Sequence, residues 1–144
     1  MHIDAGDTAW LLLCTALVLF MTPGLAFFYG GMVRSKHVLS MLAQNFAVIA
    51  VVSIVWVVLA YTLAFGPNVD GIVGGLRFAG FADPHGPVPG LHLQVPPLAF
   101  AAFQMMFAVV TTALLTGAGA DRMRFSGFLA FAALWVLVVY APLA

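Results

Sequence analysis

The chain has 144 residues, of which 64% are hydrophobic and only 7% are charged. A water-soluble domain of this length needs many more charged side chains on its surface, so the composition excludes that class and indicates an integral membrane protein. The five cationic side chains balance the five acidic ones, so no basic surface points to nucleic acid and no acidic tail points to disorder.

Four apolar segments follow one another along the chain. Each has about 20 residues or more, which as a helix is enough to cross a hydrocarbon core of about 30 Å. Since helices satisfy their own backbone groups in lipid, the fold class predicted is all-α transmembrane with four spanning helices. The first segment is not a signal peptide, because it follows an acidic stretch and is too long. The predicted helices cover residues 8–32, 38–65, 96–120 and 125–144.

The two short linkers between these segments carry most of the cations. Arg34 and Lys36 lie between the first two segments, and Arg122 and Arg124 lie between the last two. Short loops rich in Lys and Arg stay on the cytoplasmic side of a membrane. We therefore expect a multi-pass protein of the cell (inner or plasma) membrane, with its N-terminus and residues 66–95 on the extracellular or periplasmic side.

Residues 66–95 form a long outer loop that is rich in Gly and Pro, which favours turns over regular structure. His85 and His92 lie within it, but a metal site needs more ligands at convergent spacing. We interpret both as solvated loop histidines and predict no metal. The single Cys14 excludes an internal disulfide.

Polar residues inside the segments are few and uncharged. The sequence has no Gly-rich phosphate loop, no close pair of carboxylates in a helix and no His-Glu metal cluster, so we predict neither an enzyme nor a cofactor. Gln44 and Asn45 lie early in the second segment, where interhelical hydrogen bonding is the preferred interpretation. Clusters of small residues such as Gly30–Gly31 favour close helix packing. No internal repeat is evident.

The aromatic residues allow two interpretations. Trp10 and Trp56 are expected in an interfacial belt or facing lipid. Phe103 and Phe107 are four residues apart and share one side of a helix, and Tyr140 lies at a similar outer depth on the next, antiparallel helix. Such a cluster attracts cations, although on composition alone lipid-facing or core packing is the better interpretation.

Two long stretches resemble the ammonium transporter family (Amt/MEP/Rh). PGLAFFYGG followed by VRSKHVLS resembles the end of that family's first helix and the linker after it, with His37 where the motif has Asn. FAAFQMMFAVVTTALLTGAGADRMRFSGFLAFAALWVLVVYAPLA resembles its third and fourth helices. The resemblance runs through nearly the whole chain and is weakest across residues 66–95.

The resemblance implies part of an eleven-helix, inverted-repeat transporter that assembles as a homotrimer with one pore per subunit and has its N-terminus outside. It implies transport of ammonium or ammonia through a hydrophobic pore, after an aromatic cluster has removed water from the cation. A PII-type regulator on the cytoplasmic face is implied as a further partner, and nucleic acid is not.

Position by position, the resemblance also implies roles for single residues. Phe107 matches the gate phenylalanine that offers its face to the cation, and Phe103 and Tyr140 match aromatic residues of the outer vestibule. Gln104 matches an amide beside the gate, for which we expect a structural role. The family's positions along its narrow hydrophobic pore are matched in this chain by Phe28, Tyr29 and Leu114.

Two alternatives stay open. One is an ammonium sensor built on the same helices, which a signalling domain encoded downstream would favour. The other is a four-helix membrane protein that does not conduct, which a genuine stop codon after Ala144 would favour. The chain ends on the apolar stretch YAPLA, whereas intact membrane proteins more often end in water, so we expect a fragment. The resemblance implies that the family's paired pore histidines and outer tryptophan lie further along.

Overall fold

The computed structural model describes residues 3–69, 73–119 and 122–144. Within these ranges, four helices are long and apolar enough to cross a membrane: α1 (Ala5–Met32), α2 (Ser35–Phe65), α3 (Pro97–Gly119) and α4 (Phe125–Leu143). The four predicted spans are therefore confirmed as helices. The predicted end of the third span, residue 120, lies outside the described residues.

Helix α1 begins three residues before the predicted start, because Asp4 caps it. The Asp4 carboxylate accepts a hydrogen bond from the Asp7 N–H at 2.9 Å, and the Thr8 hydroxyl donates to the Asp4 carbonyl at 2.7 Å. The first contact satisfies a backbone N–H that a helix start leaves without a partner, and the second is an additional bond to a carbonyl that already accepts the Thr8 N–H. Pro23 lies inside α1 without ending it.

Helices α2 and α4 are each interrupted by one turn of π-helix. In α2 a 3₁₀ turn (Ser35–His37) leads into an α-helical segment, which passes into the π turn Trp56–Ala60. In α4 the π turn is Val136–Tyr140. Each π turn adds one residue to a helical turn, which changes the side chains that share a helix face.

The connector, defined here as residues 66–96, has more regular structure than we predicted from its Gly and Pro content. Two short strands, β1 (Asn68–Val69) and β2 (Val73–Gly74), pair antiparallel, and a 3₁₀ segment follows at Leu76–Phe81. This segment is broken at Gly80, whose φ of 62° suits a glycine. Turns and irregular backbone make up much of the described connector, as predicted, but the two short strands and the 3₁₀ segment were not predicted.

The connector is joined to α2 by one buried hydroxyl. Thr62 donates to the Gly75 carbonyl at 2.6 Å and accepts from the Phe78 N–H at 3.0 Å. Gly74 packs directly on the Thr62 carbonyl, where a Cβ atom would overlap it. The end of α2 therefore holds the start of the connector in a fixed position.

The helices are also joined inside the membrane span by a polar pair. Asn45 is fully buried in α2, and its amide nitrogen donates to the Thr116 hydroxyl of α3 at 3.1 Å and to the Met41 carbonyl at 3.0 Å. The interhelical hydrogen bond predicted for Asn45 is thus confirmed. Gln44 is buried as well, but its amide has no hydrogen-bond partner among the described residues.

Trp56 lies in the core, and the expectation that it faces lipid or belongs to a belt was wrong. Its side chain is fully buried, and its indole N–H donates to the Ala101 carbonyl of α3 at 3.1 Å. Trp10, by contrast, is 69% exposed. The two tryptophans differ because only Trp56 has both an apolar niche and an acceptor within reach.

Candidate functional site

A cavity of about 570 Å³ opens between α3 and α4, near the end of the helices from which the connector emerges. We call it the recess. It is lined by Phe103, Gln104, Phe107, Thr111, Trp135, Val139, Tyr140, Leu143 and Ala144. The structure thus brings together all four residues predicted around the outer cluster: Phe103, Gln104, Phe107 and Tyr140.

The α3 side of the recess is built by two rings. Phe103 and Phe107 are four residues apart, so they lie one helical turn apart on one face. Their ring centroids are 5.0 Å apart and their planes meet at 82°, an edge-to-face contact. Gln104 lies beside them, and Phe107 is 37% exposed. The pair is therefore packed against itself and still accessible.

The α4 side of the recess is built by Trp135 and Tyr140. Their ring centroids are 6.2 Å apart. In a regular α-helix, residues five apart point about 140° away from each other, since each residue turns the helix by about 100°. The π turn Val136–Tyr140 lies between them and reduces this angle. Both rings therefore line the same cavity.

Tyr140 is supported from behind by the core. The rings of Tyr140 and Trp56 lie 6.1 Å apart at 61°, and Trp56 is itself fixed by its hydrogen bond to Ala101. Helix α2 thereby determines where one wall of the recess stands, although no α2 residue lines it.

The chemistry of the recess is aromatic, uncharged and weakly polar. No charged side chain is among its lining residues; the polar groups are the Gln104 amide and the hydroxyls of Thr111 and Tyr140. Among the described residues, no three His, Cys, Asp or Glu side chains lie close enough to hold a metal ion. Such a lining suits a small cation that is held by aromatic faces and by hydrogen-bond acceptors.

The residues matched to the narrow pore form a separate group, outside the recess. The Tyr29 hydroxyl donates to the Leu114 carbonyl at 3.2 Å, and the rings of Phe28 and Tyr29 lie 5.8 Å apart. Tyr29 packs over Gly117, where an added Cβ would lie 2.7 Å from the ring. Phe28 and Leu114 are 63% and 50% exposed. The structure joins α1 to α3 at this level.

The sequence did not predict the other five lining residues: Thr111, Trp135, Val139, Leu143 and Ala144. A signal for Trp135 was present: WVVLAY (56–61) and WVLVVY (135–140) repeat one Trp-to-Tyr spacing. Both contain a π turn in the structure. Thr111 and Val139 carried no distinguishing signal, because apolar and hydroxyl residues are common throughout these helices.

Comparison with known proteins identifies relatives of the chain. The profile of the Ammonium Transporter Family matches residues 9–144. An ammonium transporter of Bacillus subtilis is 53% identical over 140 residues, which cover 96% of this chain and 34% of the relative. The ammonium transporter Amt1 of Archaeoglobus fulgidus is 42% identical over 139 residues, 96% of this chain and 33% of the relative.

Solved structures agree with the sequence relatives. The crystal structure of Saccharomyces cerevisiae Mep2 superposes with a TM-score of 0.89 at 36% identity, and the match covers all of this chain and 32% of that one. A protein described as a sensor Amt protein superposes with a TM-score of 0.84 at 26% identity, over 94% of this chain and 32% of that one. The chain spans about a third of the length of these proteins.

Proposed function

Because this chain belongs to the ammonium transporter family, we propose that it forms the first part of a protein that carries ammonium or ammonia across a membrane. The recess acts as an outer cation site, and Phe107 acts as the gate below it. Phe103 and Tyr140 are the other aromatic walls of that site.

One observation carries this proposal: two helices supply aromatic rings to one accessible, uncharged recess. Aromatic faces attract a cation by about 0.5–2 kcal/mol, and the attraction increases as water is removed. A carboxylate would bind any cation strongly and release it slowly, whereas rings and hydroxyls bind weakly enough for turnover. The lining therefore suits a transport site better than a storage site.

The residues beyond the gate fit a barrier to ions. An apolar constriction costs a bare ion a large desolvation free energy, while neutral ammonia pays little. In this proposal Phe28, Tyr29 and Leu114 line that part of the path, and Gln104 has a structural role beside the gate. The ring of Tyr29 is fixed by its bond to the Leu114 carbonyl, which favours a defined path width.

The remaining parts of the proposal concern the whole protein. It has the eleven-helix inverted-repeat fold in a cell membrane, as a homotrimer, with its N-terminus outside. The distribution of Arg34, Lys36, Arg122 and Arg124 supports this orientation. A PII-type regulator binds on the cytoplasmic side, where residues 33–37 and 122–124 lie in this orientation.

The test is uptake of ammonium into proteoliposomes by the full-length product of the reading frame that contains this chain. We expect Phe107→Ala to raise the ammonium concentration for half-maximal flux by about 2- to 30-fold, or to reduce discrimination against potassium, because one aromatic face is lost. Phe131→Ala is the matched control, since Phe131 is similarly exposed, at 42% against 37%, and lies outside the recess. Unchanged half-saturation and unchanged ammonium/potassium discrimination in Phe107→Ala would contradict the gate assignment.

A second candidate is an ammonium sensor, which the structural similarity to the sensor Amt protein favours. In this case the recess still binds ammonium, but binding changes an attached signalling domain. Sequencing the reading frame beyond Ala144 distinguishes the two: a signalling domain supports the sensor, and only further membrane helices support the transporter. A stable product that ends at Ala144 and gives no flux would support the non-conducting alternative.

A further inference from the structure

Two tryptophan–tyrosine pairs in this chain have the same spacing, and each contains a π turn, which begins at Trp56 in the first pair and one residue after Trp135 in the second. Trp56 and Tyr61 are five residues apart in α2, and Trp135 and Tyr140 are five apart in α4. In each pair a π turn brings the rings together, with centroids 5.9 Å apart in the first and 6.2 Å apart in the second. The π hydrogen bonds run from the Tyr61 N–H to the Trp56 carbonyl and from the Ala141 N–H to the Val136 carbonyl.

The two tryptophans have different surroundings. Trp56 is fully buried, its indole N–H has an acceptor, and its ring contacts Tyr61, Phe65 and Tyr140. These core contacts therefore explain the position of the Trp56 side chain. Trp135 is half-buried, lines the recess and has one ring neighbour, Tyr140. Its indole N–H has no hydrogen-bond acceptor in the part of the chain that the structure describes.

Trp135 packs against the core on one side, while its remaining surface lines an uncharged aromatic cavity and has the chemistry of a cation contact. Indole is the strongest of the aromatic side chains in binding cations through its face. Trp135 lines the recess from α4, whereas Phe103 and Phe107 line it from α3. A small cation between the helices is then enclosed by rings from both.

We propose that Trp135 is a further cation-contacting residue of the recess, and that the π turn Val136–Tyr140 is what orients it there. The proposal rests on the proposed function for the identity of the cation, ammonium. Without the π turn, Trp135 and Tyr140 would diverge by about 140° and only one of them would line the recess. The turn therefore doubles the aromatic surface that α4 contributes.

A binding measurement tests Trp135 without any flux. Caesium is a monovalent cation that quenches indole fluorescence on contact. The full-length protein in nanodiscs is titrated with caesium chloride, with sodium chloride keeping the ionic strength constant. The emission of wild type minus that of Trp135→Phe isolates the Trp135 signal, and we expect this signal to decrease to a plateau as caesium is added. Added ammonium chloride should shift the midpoint of this decrease to a higher caesium concentration. Trp10→Phe is the control: Trp10 is exposed but lies outside the recess, so the quenching should persist.

A flux measurement then separates a binding role from a structural one. We expect Trp135→Leu to raise the half-saturating ammonium concentration by about 2- to 30-fold, with a maximal rate within about twofold of wild type. Trp135→Phe keeps an aromatic face, so its half-saturating ammonium concentration should lie between those of wild type and Trp135→Leu. A purely structural role would instead lower the maximal rate and the thermal midpoint in both variants and leave half-saturation unchanged.

The outcomes for Trp135 and for transport are distinguishable. If wild-type protein transports ammonium but caesium does not quench the Trp135 signal, segments after Ala144 cover the ring and the inference is overturned while the proposed function stands. If caesium and ammonium compete at Trp135 but no flux occurs, transport is overturned and the cation contact stands.

Discussion

The buried pair Asn45–Thr116 offers the sharpest test of what holds α2 to α3. The Asn45 amide donates to the Thr116 hydroxyl, and this hydroxyl donates its single proton to the Ala113 carbonyl at 2.7 Å. Thr116→Val replaces the hydroxyl by a methyl group of the same size. Asn45→Leu likewise keeps the number of side-chain atoms and removes the amide.

The structure predicts that the two substitutions lower the free energy of unfolding by different amounts. Thr116→Val leaves the buried Asn45 amide with only its Met41 partners, so we expect a loss of about 1–2 kcal/mol in the free energy of unfolding. Asn45→Leu leaves the Thr116 hydroxyl bonded to Ala113, so we expect less than about 1 kcal/mol. The coupling between them should be about 0.6–1.7 kcal/mol, the range for interhelical hydrogen bonds in membrane proteins.

The assay is a double-mutant cycle on unfolding of the full-length protein in bicelles. Thr112→Val provides the control cycle, because the buried Thr112 hydroxyl bonds only within α3, to the Ala108 carbonyl at 2.8 Å. Its coupling to Asn45→Leu should be below about 0.5 kcal/mol. If both cycles give the same coupling, the Asn45–Thr116 contact contributes nothing specific and the reasoning is refuted.

Two further substitutions test close contacts elsewhere. Gly117→Ala places a Cβ atom 2.7 Å from the Tyr29 ring, so we expect about 1–3 kcal/mol of destabilisation, measured as a lower thermal midpoint. Gly127→Ala is the control, because a Cβ atom there has nothing within 4 Å and should be neutral or slightly stabilising. Equal midpoints for the two variants would contradict the contact. Thr62→Val removes both hydrogen bonds of the hydroxyl that joins α2 to the connector, so proteolysis within residues 66–96 should become faster, while Thr62→Ser should behave as wild type. Equal proteolysis of all three proteins would rule out this anchoring role.

The sequence predicted the features that depend on long apolar runs and on α-helical periodicity. The four spans required only length and hydropathy, and the shared side of Phe103 and Phe107 required only a spacing of four residues. The Asn45 hydrogen bond was predictable because an amide in lipid needs a partner. Its partner, Thr116, was not, since hydroxyls occur at several depths of α3.

The features that were missed depend on departures from that periodicity. Nothing in WVLVVY favours a π turn over an α turn, so the sequence predicted no place in the recess for Trp135. Trp56 was placed at the surface because single-helix patterns do not reveal a carbonyl on a neighbouring helix. The position of the connector depends on hydrogen bonds of Gly75 and Phe78 to Thr62, which belongs to a different element.

The contact between Tyr29 and Leu114 also has a consequence for biosynthesis. The two residues are 85 positions apart, and they belong to the first and third helices to be made. At about 5–20 residues per second, a ribosome needs about 4–17 s to pass from one to the other. During that interval the Tyr29 hydroxyl has no Leu114 carbonyl to receive its hydrogen bond. Helix α1 can already pack against α2, because Val38 and Leu42 lie beside Gly30, but the contact that joins α1 to α3 forms only after α3 has been made.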